Sequence, residues 1–196
     1  MGRHGPADSY DTVAGDDLLG SRLIIDHLVE LGHSRISYVT NTGPTEADER
    51  RPELVRARGY ANAMSAHGLD EHIDIIGTQW STQGGRAAGE ALRARPRKPT
   101  AVHAGADVAA FGLLSDLWEA GVQVPAEISV AGYDNTPTAA YAPISLTSVD
   151  QSGLEMGERA ASLLLERVEG RKDPLHVLTT PWLARRGTTG EPSTAE

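Results

Sequence analysis

The sequence predicts an α/β fold, a parallel sheet flanked by helices. Three observations lead there. Short apolar runs alternate with longer stretches whose apolar residues recur at a helical period. Gly or Pro punctuates most junctions between them. The connections have the length that joins parallel strands through a helix, with right-handed crossovers.

The elements follow in order. Residues 1–15 read as an N-terminal segment or linker. Residues 18–31 place Leu18, Leu19, Leu23, Ile24, Leu28 and Leu31 near a helical spacing, and Gly32 follows as a C-cap. Residues 35–40 (RISYVT) read as a buried strand and 41–51 as a polar loop. Pro52 starts a helix that ends at Gly68. A strand at 73–77 is followed by a helix capped by Ser81 or Thr82 and ending near Arg95. Pro99 introduces a strand at 100–104, and an apolar helix over 106–120 stops at Gly121. Strands at 128–132 and 146–149 flank a loop at 137–143. An amphipathic helix runs over 153–169 to Gly170, two late strands cover 175–180 and 182–185, and 190–196 reads as a disordered tail.

Length and composition set bounds. The chain of 196 residues holds one substantial domain, or one domain and part of another. With no cysteine it has no disulfide, no Cys-ligated zinc site and no thiol nucleophile. The start, Met1-Gly2-Arg3-His4, opens no apolar run of signal-peptide length, and no stretch approaches a membrane span. A cytoplasmic protein is expected. The net charge of -9 argues against a DNA-gripping face. The compact basic cluster of Arg93, Arg95, Arg97 and Lys98 is broken by Pro96 and Pro99, and reads as a solvated loop.

Catalytic and cofactor patterns are missing. There is no dinucleotide-binding glycine motif after a strand, no phosphate-binding P-loop and no nucleophile elbow. The seven histidines show no metal-ligand spacing. His33 reads as a capping or surface residue, and His103 as a packed strand residue. Asp16 and Asp17 read as helix-start carboxylates that favour the positive end of the dipole. No enzyme activity, cofactor or metal is expected.

In parallel sheets ligands bind beyond the carboxyl ends of the strands. Those ends carry Arg50, Arg51 and Arg56 after the first strand, Trp80 after the second, Asp107 after the third, Asp134 after the fourth and Gln151 after the fifth. Arg, Asp and Gln offer donors and acceptors for hydroxyls, and Trp offers a flat apolar face. A pocket for a small polar ligand is expected, formed by Arg50, Arg56, Trp80, Asp107, Asp134 and Gln151.

Several segments carry a family resemblance. Asp16-Asp17-Leu18-Leu19-Gly20 leads into His27-Leu28-Val29-Glu30-Leu31-Gly32-His33. Arg56-Ala57-Arg58-Gly59-Tyr60 follows, then the stretch from Ala104 to Gly112. Val124-Pro125-Ala126-Glu127-Ile128-Ser129-Val130-Ala131-Gly132-Tyr133-Asp134-Asn135 is the longest match. Leu146-Thr147-Ser148-Val149-Asp150-Gln151 and Met156-Gly157 complete the set. Together, over about residues 12 to 188, the chain resembles the effector-binding region of LacI/GalR-type transcription regulators.

The resemblance implies a periplasmic-binding-protein-like (type I) fold, with the C-terminal subdomain essentially complete and the N-terminal subdomain mostly missing. It implies residues 16–150 as the C-terminal subdomain, 151–180 as a crossover helix and strand of the truncated subdomain, and 181–189 as a returning strand. Leu154, Met156, Ala160, Leu163, Leu164 and Val168 on that helix would then lack their usual covering. The resemblance implies a small effector, foremost a sugar, with sugar phosphates and purines as other family classes, contacted by Arg56, Trp80 and Asp134. Ala106 stands where the family carries an Asn that often touches effector. A homodimer is implied, with DNA bound only through a helix-turn-helix domain that this chain lacks. Two alternatives remain: a sugar-binding protein of a transport system, and a small α/β enzyme acting on a sugar or nucleotide.

Overall fold

The computed structural model describes residues 9–41 and 51–193. Within them the chain runs β1 (Thr12–Gly15), α1 (Asp17–Glu30), β2 (Ile36–Asn41), α2 (Pro52–Ala66), β3 (Asp74–Thr78), α3 (Thr82–Arg93), β4 (Ala101–Ala104), α4 (Asp107–Glu119), β5 (Ser129–Tyr133), β6 (Thr147–Asp150), α5 (Gly153–Val168), β7 (His176–Thr179) and β8 (Trp182–Ala184). Six strands form one sheet in the order β3-β2-β4-β5-β6-β8, parallel except for β8, which runs antiparallel to β6. Strand order reverses between β2 and β4, and such a switch point opens a crevice at the strand ends.

Both faces of this sheet are covered, and the strand period of two sorts the side chains between them. On one face Val39, Val102 and Val130 pack with Leu92, Leu113, Leu114 and Leu117 of α3 and α4. On the other, Ile36, Tyr38, Ala131 and Tyr133 pack with Ile24, Ile25 and Leu28 of α1 and Tyr60 and Met64 of α2. Each fully buried large apolar side chain contributes roughly 1.5–3 kcal/mol. Helices α3 and α4 approach through glycines: a Cβ on Gly85 would collide with the carbonyl of Ala109, and one on Gly112 with the carbonyl of Thr82.

A second, smaller layer stands apart. β1 and β7 pair in parallel, with Thr12 opposite His176 and Gly15 opposite Thr179. α5 packs here through Leu163, while Leu154 is 81% exposed and Leu164, Leu165 and Val168 also face outward. Asp11 fixes the approach to β1, accepting from Arg167 at 3.0 Å and Arg171 at 2.8 Å.

Three expectations need correction. The segment through residue 15, read as a linker, contains β1; its partner is β7, so local periodicity carried no trace of the pairing. Residues 190–193 of the expected disordered tail are ordered: Gly190 N donates to Ser129 Oγ at 3.1 Å, and its carbonyl accepts from His33 Nε2 at 2.9 Å. Residues 194–196 lie outside the described residues. His33 is no surface residue; it is buried, and its Nδ1 also pairs with Thr100 Oγ1 at 2.9 Å.

Candidate ligand-binding site

Arg56 is the centre of the site. The α2 turn that follows β2 carries it over the switch point, where it is only 4% exposed. Its Nε donates to Asp17 Oδ1 at 2.9 Å and its Nη1 to the Gly105 carbonyl at 2.7 Å. Asp134 Oδ1 lies 3.5 Å from Nη1. The guanidinium sits 3.8 Å from the Tyr133 ring centroid and 5.0 Å from that of Trp80. Burial works against its charge, but Asp17, Tyr133 and Asp134 outweigh it and hold the arginine pKa above its ordinary value.

Asp134 follows β5 with φ of 109° and Asn135 with φ of 45°, both in the left-handed region that L-residues rarely adopt. That backbone turns the Asp134 carboxylate toward Arg56, where Gln151 Nε2 donates to it at 2.7 Å. Burial raises the Asp134 pKa to about 6, against the pull of Arg56. Asn135 is held in turn: it donates to Asp150 Oδ2 at 2.8 Å and accepts from Arg186 at 2.6 Å.

These residues line a cleft of about 220 Å³ between the main sheet and the smaller layer. Arg56, Trp80, Asp134 and Gln151 meet there, as the sequence predicts. Asp17, Glu53, Asn41 and Met156 join them. Asp107 does not line it. Its carboxylate is consumed by Ser148 Oγ at 2.7 Å and by the amide and hydroxyl of Thr136 at 2.7 and 2.9 Å, so it braces the loop after β5. Burial raises its pKa while these donors oppose the shift. Arg50 lies outside the described residues. Arg51 pairs with Glu53.

Asp17 and Tyr133 are the residues that sequence reading missed. Asp16 caps α1, accepting from Leu19 N at 3.0 Å, and Asp17 in the first turn does more than favour the dipole. Asp17 is buried and accepts from both Arg56 and Tyr133 Oη, the latter at 2.8 Å. Its signal was available: Asp17, Ser21, Ile24 and Leu28 share the buried face of α1. A carboxylate there needs a buried partner. Beneath the site His103 lies between Tyr38, tilted by 55° at 4.8 Å, and Tyr133, stacked at 6.3 Å, and burial lowers its pKa to about 3. It is a neutral packing element of the floor.

Residues 25–189 match the family described as periplasmic binding protein-like domain. The ribose operon repressor of Escherichia coli K12 is 33% identical over 181 residues, which cover 91% of this chain and 53% of that protein. The HTH-type transcriptional repressor PurR of Shigella sonnei is 31% identical over 192 residues, covering 94% of this chain and 53% of that protein. Among solved structures, a LacI family transcriptional regulator from Enterococcus faecium with bound ribose superposes with a TM-score of 0.83 at 31% identity, covering 92% of this chain and 65% of that chain. The chain spans about half the length of the curated relatives it matches. Those relatives are transcription repressors, not enzymes.

Proposed function

The chain belongs to the periplasmic-binding-protein-like family, as the effector-binding region of a LacI-type regulator, and from that premise we propose that its cleft binds a neutral, polyhydroxylated effector of monosaccharide size. The carrying observation is the charge of the cleft. Asp17 and Asp134 flank the one buried arginine, Arg56, and a third carboxylate, Glu53, paired with Arg51, lines the same cleft, so acidic groups outnumber basic ones. Such a lining accepts hydrogen bonds from hydroxyls and repels an anionic ligand. Trp80 adds a flat apolar wall for the C–H face of a sugar ring. The volume of about 220 Å³ falls below the range of roughly 300–1,000 Å³ typical of drug-sized ligands. The ribose bound in the Enterococcus relative supports the same ligand class.

In this reading Asp134 and Gln151 accept and donate to effector hydroxyls while Arg56 stays fixed by Asp17. Gln151 sits where the chain crosses from β6 to α5, and its carbonyl accepts from Thr179 Oγ1 of β7 at 2.9 Å. Occupancy of the cleft is thereby coupled to the angle between the two layers, and β1, α5 and β7 act as the start of a second lobe. In this reading the regulator works in the cytoplasm as a homodimer and acts on DNA; the names of the repressor relatives, one of them HTH-type, support the DNA part of it. Among the described residues no helix is long and apolar enough to cross a membrane.

The test is a fluorescence titration with ribose and a monosaccharide panel in a Trp118→Phe/Trp182→Phe variant, leaving Trp80 as sole reporter. Saturable change is expected with at least one monosaccharide. No response to any of them removes the assignment.

A further inference from the structure

A second cleft lies at the opposite ends of the strands, where β2 and β3 begin and the chain enters β4. It holds about 220 Å³ and is lined by Arg35, Ser37, Asp74, Arg95, Arg97 and Lys98, with Glu71 and His72 at its margin. Four cationic side chains meet two carboxylates here, in a chain whose net charge is -9. Both carboxylates are engaged. Asp74 accepts from Ser37 Oγ and Arg95 Nη1, and Glu71 lies 3.7 Å from His72 Nε2.

Arg97 and Lys98 are exposed, as a solvated loop predicts, but the loop backbone is tied down. Arg35 Nε donates to the Lys98 carbonyl at 3.2 Å, and Thr100 N donates to the Arg35 carbonyl at 2.9 Å. Pro96 and Pro99 restrict the backbone on either side. Yet among the described residues the side chains of Arg97 and Lys98 have no hydrogen-bond or ion-pair partner. Exposed guanidinium and ammonium groups with unused donors, carried on neighbouring residues of a held backbone and lining one cleft, offer charge-assisted hydrogen bonds to a phosphate group.

We propose that this cleft binds a small phosphorylated metabolite through its phosphate, held by Arg97, Lys98 and the free end of the Arg35 guanidinium. A cleft of about 220 Å³ suits a small molecule. Glu71 at its margin disfavours an extended polyanion such as nucleic acid. The site is opposite in charge to the carboxylate-rich cleft at the far ends of the same strands, so the two accept different ligand classes.

Isothermal titration of the whole chain with inorganic phosphate and with glycerol 3-phosphate tests this, against chloride at matched ionic strength. Saturable binding is expected, tightest for glycerol 3-phosphate. An Arg97→Ala/Lys98→Ala variant should weaken it by about tenfold or more, the loss of at least one charge-assisted contact, with its circular dichroism unchanged. Both side chains are exposed; should the double variant lose its fold, Arg97→Gln carries the same expectation. Heat equal to that of chloride overturns the site, as does undiminished binding by the variant. A preference for inorganic phosphate overturns the metabolite assignment.

Discussion

Arg56 donates its Nε to Asp17 Oδ1 at 2.9 Å, and neither side chain is more than 5% exposed. A buried ion pair adds little net stability compared with an apolar pair, but breaking it strands a charge in the interior. Asp17→Ala should therefore lower the unfolding free energy by about 3 kcal/mol. Asp17→Asn, which keeps an acceptor oxygen for Arg56 and Tyr133, should lower it less. Urea denaturation of both variants checks the ordering. Equal, small losses would mean that Asp134 replaces Asp17 as the arginine's partner.

The pH response follows from Asp134. Burial raises its folded pKa to about 6, whereas an unfolded aspartate titrates near 4. Between these values the folded state holds the extra proton, so this residue's contribution to stability is present at low pH and is lost as pH rises through 6. Effector affinity runs the other way. The ionised carboxylate is the acceptor for hydroxyls, so affinity should rise from pH 5 to 7 and level off above. Titrations across that interval check it, and Asp134→Asn should flatten the profile.

Gly105 separates the aromatic floor from the cleft wall. A Cβ there would stand 2.6 Å from Tyr38 Oη and 3.0 Å from Trp80 Cζ2. Its carbonyl also accepts from Arg56 at 2.7 Å. Gly105→Ala should displace the Trp80 ring, shift its emission and weaken effector binding by about tenfold, while costing roughly 1–3 kcal/mol of stability. Emission spectra and thermal unfolding on the same sample separate the two effects.

Much of the fold was legible because its signals are local. The apolar period of residues 18–31 and the glycines at 32, 68, 121 and 170 marked helices that the structure contains, and all four glycines adopt positive φ. β1 escaped because four residues carry too little period and the partner strand lies more than 160 positions away. The candidate cleft was legible where position alone decides it: Arg56, Trp80, Asp134 and Gln151 all follow strand ends and line it. Asp107 occupies the same kind of position, but Thr136 and Ser148 claim its oxygens, and that competition appears only in three dimensions. Asp17 and Tyr133 act through Arg56, so their roles depended on knowing that α1 and β5 converge on α2.

If the carboxylate-rich cleft around Arg56 is the effector site, sugar binding depends on Asp134. Isothermal titration with ribose, run on the unaltered chain and on Asp134→Ala, tests it most directly. Saturable heat with the unaltered chain that disappears in the variant is the result predicted. Saturable heat of equal affinity in both proteins would place the sugar elsewhere and contradict the account.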